Sequence, residues 1–289
     1  MPEIEVFAPA KVNLALHVTG QRADGYHLLD SLVAFAPAGD RLRLAPADAM
    51  ALTVRGPESR GVPEGPENLV LKAAALYGPG PAAAIHLQKC LPAASGIGGG
   101  SSDAAAALRG MAALRGVAPA AGAAVVKLGA DVPMCLDPRP ARTRGIGEEL
   151  SPVTLPPLPS VLVNPRVEVS TPAVFKALAS KDNAPMDEIP AFANAADCIG
   201  WLARQRNDLQ PAAVALAPVI AEVLGALEAL PGCLLVRMSG SGATCFGLFE
   251  SDEAAAAAQA RLAAANPGWW SAHGPLGDQS EAAAARRTL

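Results

Sequence analysis

The chain is poor in the features that mark several common classes. It has no lysine- or arginine-rich block and carries a net charge of −4, so nucleic acid and anionic membranes are poor partners. Its five cysteines (Cys90, Cys135, Cys198, Cys233 and Cys245) are far apart, with no CxxC pair. That pattern excludes a zinc ribbon and a disulfide framework and fits reduced thiols in the cytoplasm. The opening MPEIEVFAPAKVN lacks a basic region followed by an apolar run, so no secretory signal is expected. No stretch approaches eighteen uninterrupted apolar residues, the length that would suggest a membrane span. Gly-Lys does not occur anywhere, which excludes a P-loop of the Walker A type. Aromatics amount to only 4%; the apolar content is mostly alanine, a helix former that loses no side-chain entropy on folding.

What is present is a mixture of strand and helix signals. Residues 3–18 read as extended: Val12, Leu14, Leu16 and Val18 alternate with Lys11, Asn13, Ala15 and His17. Period two puts Lys11 and Asn13 on one face. Ser31–Phe35 and Asp40–Leu44 read as strands broken by Pro37–Gly39, and Ala83–Lys89 as another. Helices are expected near Leu69–Tyr77, from Asp103 to about Leu114, and near Ala120–Leu128 with Gly129 as its cap. Pro133 biases Val132 to an extended conformation, which puts Asp131 on a helix-to-strand turn. The proline-rich stretch from Leu150 to Pro159 is the best candidate for a boundary, dividing residues 1–155 from 156–289. Beyond it come a strand at Ser160–Val163, helices around Thr171–Leu178, Asp197–Arg206 and Ala217–Leu230, strands at Leu234–Met238 and Thr244–Phe249, and a last helix at Asp252–Ala264. No internal repeat is present, and the order of elements suggests two α+β domains.

The most informative segment runs from Pro92 through Ala93, Ala94, Ser95, Gly96, Ile97, Gly98, Gly99, Gly100 and Ser101 to Ser102, with a strong helix former directly behind it. Glycines allow positive φ and close approach of backbone to a ligand. The first amides of a helix have no internal partners, and its dipole favours an anion. A strand, a glycine loop and a helix start together make an anion cradle. The dinucleotide pattern G-x-G-x-x-G fails, because Ser101 stands where its third glycine should fall. A flexible loop capped by Ser102 or Asp103 is the alternative.

With these segments in view, the sequence resembles the GHMP kinases. Pro9-Ala-Lys-Val-Asn-Leu is similar to that family's first motif, Leu91–Ala105 to its second, and Met238-Ser-Gly-Ser-Gly-Ala-Thr-Cys-Phe to its third. Arg22-Ala-Asp-Gly-Tyr-His-Leu-Leu, Leu128-Gly-Ala-Asp-Val-Pro, Gly145-Ile-Gly-Glu and Arg206-Asn-Asp-Leu-Gln-Pro are similar to the branch acting on a cytidine-diphosphate-linked methylerythritol. The likeness runs from about Val6 to Phe249. Ser95 and Ile97 depart from the usual second motif, and Lys181–Ala193 matches nothing in the family. The resemblance implies an α+β GHMP kinase fold of two α/β sandwiches: an N-terminal ATP-binding domain with a left-handed βαβ crossover and a ferredoxin-like C-terminal domain, with ATP in the cleft between them. It implies phosphorylation of an alcohol in the non-mevalonate route to isoprenoid precursors by a monomer or dimer. A GHMP kinase for a smaller acceptor, such as homoserine or mevalonate, is the runner-up. A nucleotide-binding protein that has lost catalysis is the third reading.

On this footing, Asp131 is the candidate base for the acceptor hydroxyl; otherwise it is a turn aspartate that caps amides. Lys11 is its candidate partner, holding the acceptor oxygen or a γ-phosphate oxygen; the alternative is a lysine on a solvated sheet face. Asn13 would bind the acceptor or Lys11. Tyr26 and His27 suit stacking on a base, and the resemblance implies that His27 meets the cytosine. Phe175 would close its other side, or belong to a helix core. Thr171 and Pro172 would line the same pocket. Gly240, Ser241 and Gly242 would lie beside the phosphate loop, or form a plain hairpin turn. Magnesium is expected with ATP because it neutralises the β- and γ-phosphates, with Ser101 or Ser102 in reach and no carboxylate assigned to it. His17, His86 and His273 are isolated from other ligand types and read as structural or surface histidines.

Overall fold

A computed structural model describes residues 3–288. Its strands are β1 (Glu3–Gln21), β2 (His27–Ala47), β3 (Ala51–Arg55), β4 (Ala82–Gln88), β5 (Ala141–Gly145), β6 (Glu149–Pro152), β7 (Leu158–Asn164), β8 (Cys233–Met238), β9 (Cys245–Phe249), β10 (Trp270–Leu276) and β11 (Arg286–Thr288). Its helices are α1 (Leu69–Ala75), α2 (Gly99–Arg115), α3 (Ala123–Val126), α4 (Val132–Leu136), α5 (Thr171–Lys176), α6 (Ala195–Leu202), α7 (Gln210–Leu216), α8 (Val219–Glu228) and α9 (Asp252–Ala265).

Two sheets organise these elements. The first runs β11-β1-β2-β4-β3, with β5 on the early half of β2 and β6 on β5. β3 and β4 are parallel and joined through α1, a βαβ crossover. The second sheet, β10-β7-β9-β8, is wholly antiparallel.

Helices α1 and α2 cover the first sheet through a core built on Val6, Phe35, Leu44, Ile85, Leu108 and Met111. Val12, Leu14, Leu32 and Ala34 of that sheet pack with Leu162, Phe246 and Leu248 of the second. Alternating residues Val161 and Val163, with Phe249, face α8 and α9. The part of the first sheet that meets the second is therefore buried on both faces, which explains why β1 carries so few exposed positions, whereas towards β3 and β4 one face stays open at Arg41, Arg43, His86 and Gln88. A paired bridge between Phe35 and Gly277 ties the sheets together.

Several sequence expectations are corrected. Pro37–Gly39 does not break β2; the pairing shifts between Pro9 and Lys11, so the extra residues sit in an irregularity that accommodates the proline. α2 begins at Gly99, four residues before the expected Asp103, because Gly98 adopts φ 64° and its carbonyl accepts the Ser102 amide at 2.9 Å. The helix expected at Ala120–Leu128 is only the single turn α3. Val132 is helical and not extended: Pro133 falls in the first turn of α4, where a missing amide costs nothing. The chain does not end on a helix, since β10 and β11 follow α9.

The unrecognised segment 181–193 is held by a buried ion pair. Arg142 grips Asp30 in a bidentate pair at 2.7 and 2.6 Å, donates to the Met186 carbonyl at 3.1 Å, and Asp30 accepts the Met186 amide. Burial alone would raise the Asp30 pKa, but the hydrogen bonds and charge of Arg142 outweigh it and hold it below the usual range. His17 is structural: one ring nitrogen meets the Ala184 carbonyl and the other accepts the Arg206 amide, and burial pushes its pKa down. Replacing Arg142 by methionine would leave Asp30 buried with only the half-exposed Arg144, 3.8 Å away, as a charged partner. Thermal melts of Arg142→Met should show a loss of about 3 kcal/mol or more at neutral pH. The gap to the parent should narrow as pH falls through the depressed pKa of Asp30, where the parent loses the same contribution.

Candidate functional site

A cavity of about 1050 Å³ is bounded by β1, the glycine loop, the start of α4, α5 and the turn after β8. Its centre is Lys11. The Lys11 ammonium lies 3.0 Å from Asp131 Oδ2 and donates to Asn13 Oδ1 at 2.9 Å. Asn13 donates in turn to Ser31 Oγ at 2.8 Å, and Ser31 to the Ala15 carbonyl at 2.6 Å. The lysine is nearly buried, its side chain 7% exposed, whereas that of Asp131 is 37% exposed. Lys11 is thus not on a solvated face. Asp131 stands at the N-cap of α4 but its side chain makes no capping bond, which leaves the carboxylate to Lys11 and the cavity.

The glycine loop presents the start of α2 to the same space. Gly99, Gly100 and Ser101 form its first turn, and the N-cap Gly98 supplies no side-chain bond. The amides of these first-turn residues have no partner within the helix. Gly98 is the residue in contact with the ion pair: a Cβ there would sit 3.2 Å from Lys11 Cε. Gly96, at φ 75°, lies so close to the other glycine turn that a Cβ would come 2.5 Å from the Ser239 carbonyl. That contact is reinforced by bonds from Thr244 N to the Ser95 carbonyl and from Ser239 Oγ to the Gly96 carbonyl.

Not every residue of the expected set lines the cavity. Ala94, Ser95, Gly96, Gly98, Gly99, Gly100 and Ser101 do, with Gly240 and Ser241. Pro92, Ala93, Ile97, Ser102 and Gly242 do not. Ile97 is fully buried in the core and gives its carbonyl to the Lys11 amide. The Ser102 hydroxyl turns inward to the Pro9 carbonyl at 2.8 Å, so of the two serines only Ser101 is open to a metal. Gly242 packs on Met238. Among the described residues no group of three or more His, Cys, Asp or Glu could hold a metal ion. A magnesium ion that keeps water and phosphate oxygens needs only one or two protein oxygens, which the Ser101 hydroxyl fits.

Tyr26, His27, Thr171, Pro172 and Phe175 also line the cavity. Tyr26 is 60% exposed. His27 and Phe175 stack with centroids 4.6 Å apart. A base between those two rings would need roughly twice the 3.5 Å contact distance, so the base must lie on an outer face of the pair or part them. Burial, then the charge of Lys181, pushes the His27 pKa down, and its buried Nε2 has no partner. The Thr171 hydroxyl meets that of Ser241 at 2.7 Å, joining α5 to the glycine turn. Sequence reasoning missed Ser31, Lys176 and Lys181, all of which line the cavity. Ser31 joins only through strand pairing, and Lys181 lies in the segment that resembles nothing; Lys176, adjacent to Phe175, was open to recognition.

Residues 68–137 match the family described as GHMP kinases N terminal domain, and residues 187–268 the family described as GHMP kinases C terminal. A 4-diphosphocytidyl-2-C-methyl-D-erythritol kinase of Dinoroseobacter shibae is 62% identical over 91% of this chain and 92% of its own. The chain belongs to the GHMP kinases, in the 4-diphosphocytidyl-2-C-methyl-D-erythritol kinase family. A relative of that name from Roseobacter denitrificans is 56% identical over 98% of this chain and 97% of its own. A crystal structure of 4-(cytidine 5'-diphospho)-2C-methyl-D-erythritol kinase superposes with a TM-score of 0.78 at 39% identity, covering 94% of this chain and 99% of that one. A homoserine kinase from Cytophaga hutchinsonii, at 21% identity and TM-score 0.70 over 99% of this chain and 97% of its own, shares the fold. Membership makes the chain a phosphotransferase with ATP as co-substrate.

Tight packing of the two glycine segments can be tested without chemistry. Gly96→Ala forces a Cβ onto backbone atoms at a positive φ, whereas Gly25→Ala meets a positive φ of 91° with nothing within 4 Å. Gly25→Ala should cost about 1–2 kcal/mol from backbone strain alone. Gly96→Ala should melt at a clearly lower temperature than Gly25→Ala.

Proposed function

We propose that the chain transfers the γ-phosphoryl group of ATP to the 2-hydroxyl of 4-diphosphocytidyl-2-C-methyl-D-erythritol, giving the 2-phosphate and ADP, in the non-mevalonate route to isoprenoid precursors. The observation that carries the chemistry is the 3.0 Å pair of Lys11 and Asp131 beside an uncapped helix start. Catalysis of phosphoryl transfer is mostly positioning and charge stabilisation. In this reading the first-turn amides of α2 hold the triphosphate, and Gly240 and Ser241 close over it. Asp131 Oδ accepts the proton of the acceptor hydroxyl as the new oxygen–phosphorus bond forms and the bond to the β-phosphate oxygen breaks. Lys11, oriented by Asn13, stabilises the charge on the transferring group. The Ser101 hydroxyl would hold the magnesium that accompanies ATP, and the ion would supply neutralisation of phosphate charge.

The acceptor's cytosine belongs with Tyr26, His27 and Phe175. An imidazole kept neutral, with a ring nitrogen that lacks a partner, is suited to a hydrogen bond with the base edge. Thr171 and Pro172 line the same cavity. We assign residues 1–155 to an ATP-binding domain and 156–289 to the second domain, a division supported by the change of sheet between β6 and β7. The enzyme is assigned to the cytoplasm as a monomer or dimer.

The experiment is ADP release with magnesium-ATP and either the cytidyl compound or the methylerythritol phosphate that lacks cytidine, in the parent and in Asp131→Ala. Turnover is expected with the cytidyl compound alone. Asp131→Ala is expected to lose about 10²–10⁴-fold in kcat while still binding ATP. Equal turnover of both acceptors would remove the base-binding role of Tyr26 and His27, and retained turnover in Asp131→Ala would remove Asp131 as the base.

A further inference from the structure

Behind the glycine loop, out of the cavity, lies a cluster of three ionisable groups with no part in the chemistry described so far. Asp40 on β2 is fully buried, and Lys89 and Asp103 are 3% and 4% exposed. Lys89, the residue after β4, pairs through its ammonium with Asp40 Oδ2 and with Asp103 Oδ2, the latter at 3.0 Å. The second Asp40 oxygen accepts the amides of Cys90 and Leu91, the latter at 2.8 Å. Those two residues are the chain's exit from the sheet into the loop, and Asp103 is on the helix that the loop leads into. One lysine and one strand carboxylate thus fasten both ends of the loop to β2.

The cluster also sits directly beneath the candidate phosphate site. A Cβ added to Gly99, the first residue of α2, would lie 3.1 Å from Lys89 Nζ. Burial works against the charge on Lys89, but its two carboxylates outweigh burial and raise its pKa, so the ammonium persists. That charge is matched inside the cluster by Asp40 and Asp103, the latter with its carboxyl pushed up to about 8 by burial, so the triad presents no net positive charge and acts by fixing where the helix start lies. None of the three side chains lines the cavity. Asp103 Oδ1 is buried without a partner, a cost that stability alone does not explain.

We propose that Asp40, Lys89 and Asp103 are positioning residues that set the spacing and orientation of the phosphate loop, so that affinity for ATP depends on them and affinity for the alcohol acceptor does not. The inference rests on the reading that the start of α2 holds the triphosphate. The geometry that binds phosphate is then built from behind: the glycines supply amides, and the triad decides where they point.

The test compares the parent with Lys89→Met, Asp103→Leu and Asp103→Asn. The Kd for magnesium-ATP is read by calorimetry, with KM for each substrate and a thermal melt. Lys89→Met and Asp103→Leu should raise the Kd and KM for ATP at least tenfold and leave the acceptor KM within twofold. Asp103→Asn, which keeps an oxygen for the ammonium, should recover most of what leucine loses. If Lys89→Met does not fold, the Asp103 pair carries the test alone, because leucine and asparagine share the branched outline of aspartate and differ in the oxygen offered to the ammonium. Equal ATP affinity in Asp103→Leu and Asp103→Asn, or an equal rise in the KM of both substrates, would overturn the proposal. A parent that binds no ATP would overturn the kinase reading itself, which separates the two failures.

Discussion

The contact on which this structure turns is one between backbones. Gly96 of the first glycine segment lies against Ser239 and Gly242 of the second at distances no Cβ could tolerate, and the Gly96 carbonyl accepts the Ser239 hydroxyl. The same Ser239 hydroxyl oxygen accepts the Asn13 amide, and the Lys11 amide donates to the Ile97 carbonyl. Three stretches of chain, some 80 to 230 residues apart in sequence, are thereby fixed to one another by main-chain groups and the Ser239 hydroxyl. Side chains at Lys11 and Asn13 inherit their positions from that junction. It also joins the two sheets, since β1 belongs to the first and β8 and β9 flank the turn in the second.

Charge is handled with similar economy. A chain of net charge −4 cannot attract a triphosphate by its overall field. In the proposed reaction the local sources are the uncapped start of a 17-residue helix and Lys11, with Lys89 and its two carboxylates holding the first turn in place from behind. Lys11 and Lys89 are both nearly buried and each is matched by carboxylate. Their positions are therefore fixed by pairing and do not wander with the long side chain, which suits a site whose task is alignment. Lys176 and Lys181 line the cavity as well.

The glycine loops, the shared face of Lys11 and Asn13, and the α+β class were legible because each leaves a local mark: positive-φ residues, period two, a helix former behind glycines. The start of α2 was placed four residues late, because Gly99 and Gly100 have poor helix propensity and only the carbonyl of Gly98, held at φ 64°, recruits them. α4 was misjudged by applying the rule for the residue before proline where the first turn of a helix relaxes it. β10 and β11 were missed since WSAHGPL contains glycine and proline, and Arg286–Thr288 forms a strand only by pairing with Glu3–Glu5. Ser31 and the anchoring of segment 181–193 by Arg142 depend on long-range pairing that carries no local signal.

In the proposed reaction, transfer occurs between the start of α2 and the Lys11–Asp131 pair. The most direct measurement is a crystal structure with a non-hydrolysable ATP analogue and the cytidyl acceptor bound together. The account predicts the terminal phosphate on the amides of Gly99–Ser101, the 2-hydroxyl within about 3 Å of Asp131, and the cytosine against His27. An acceptor hydroxyl directed away from Asp131, with the phosphate chain elsewhere in the cavity, would contradict it.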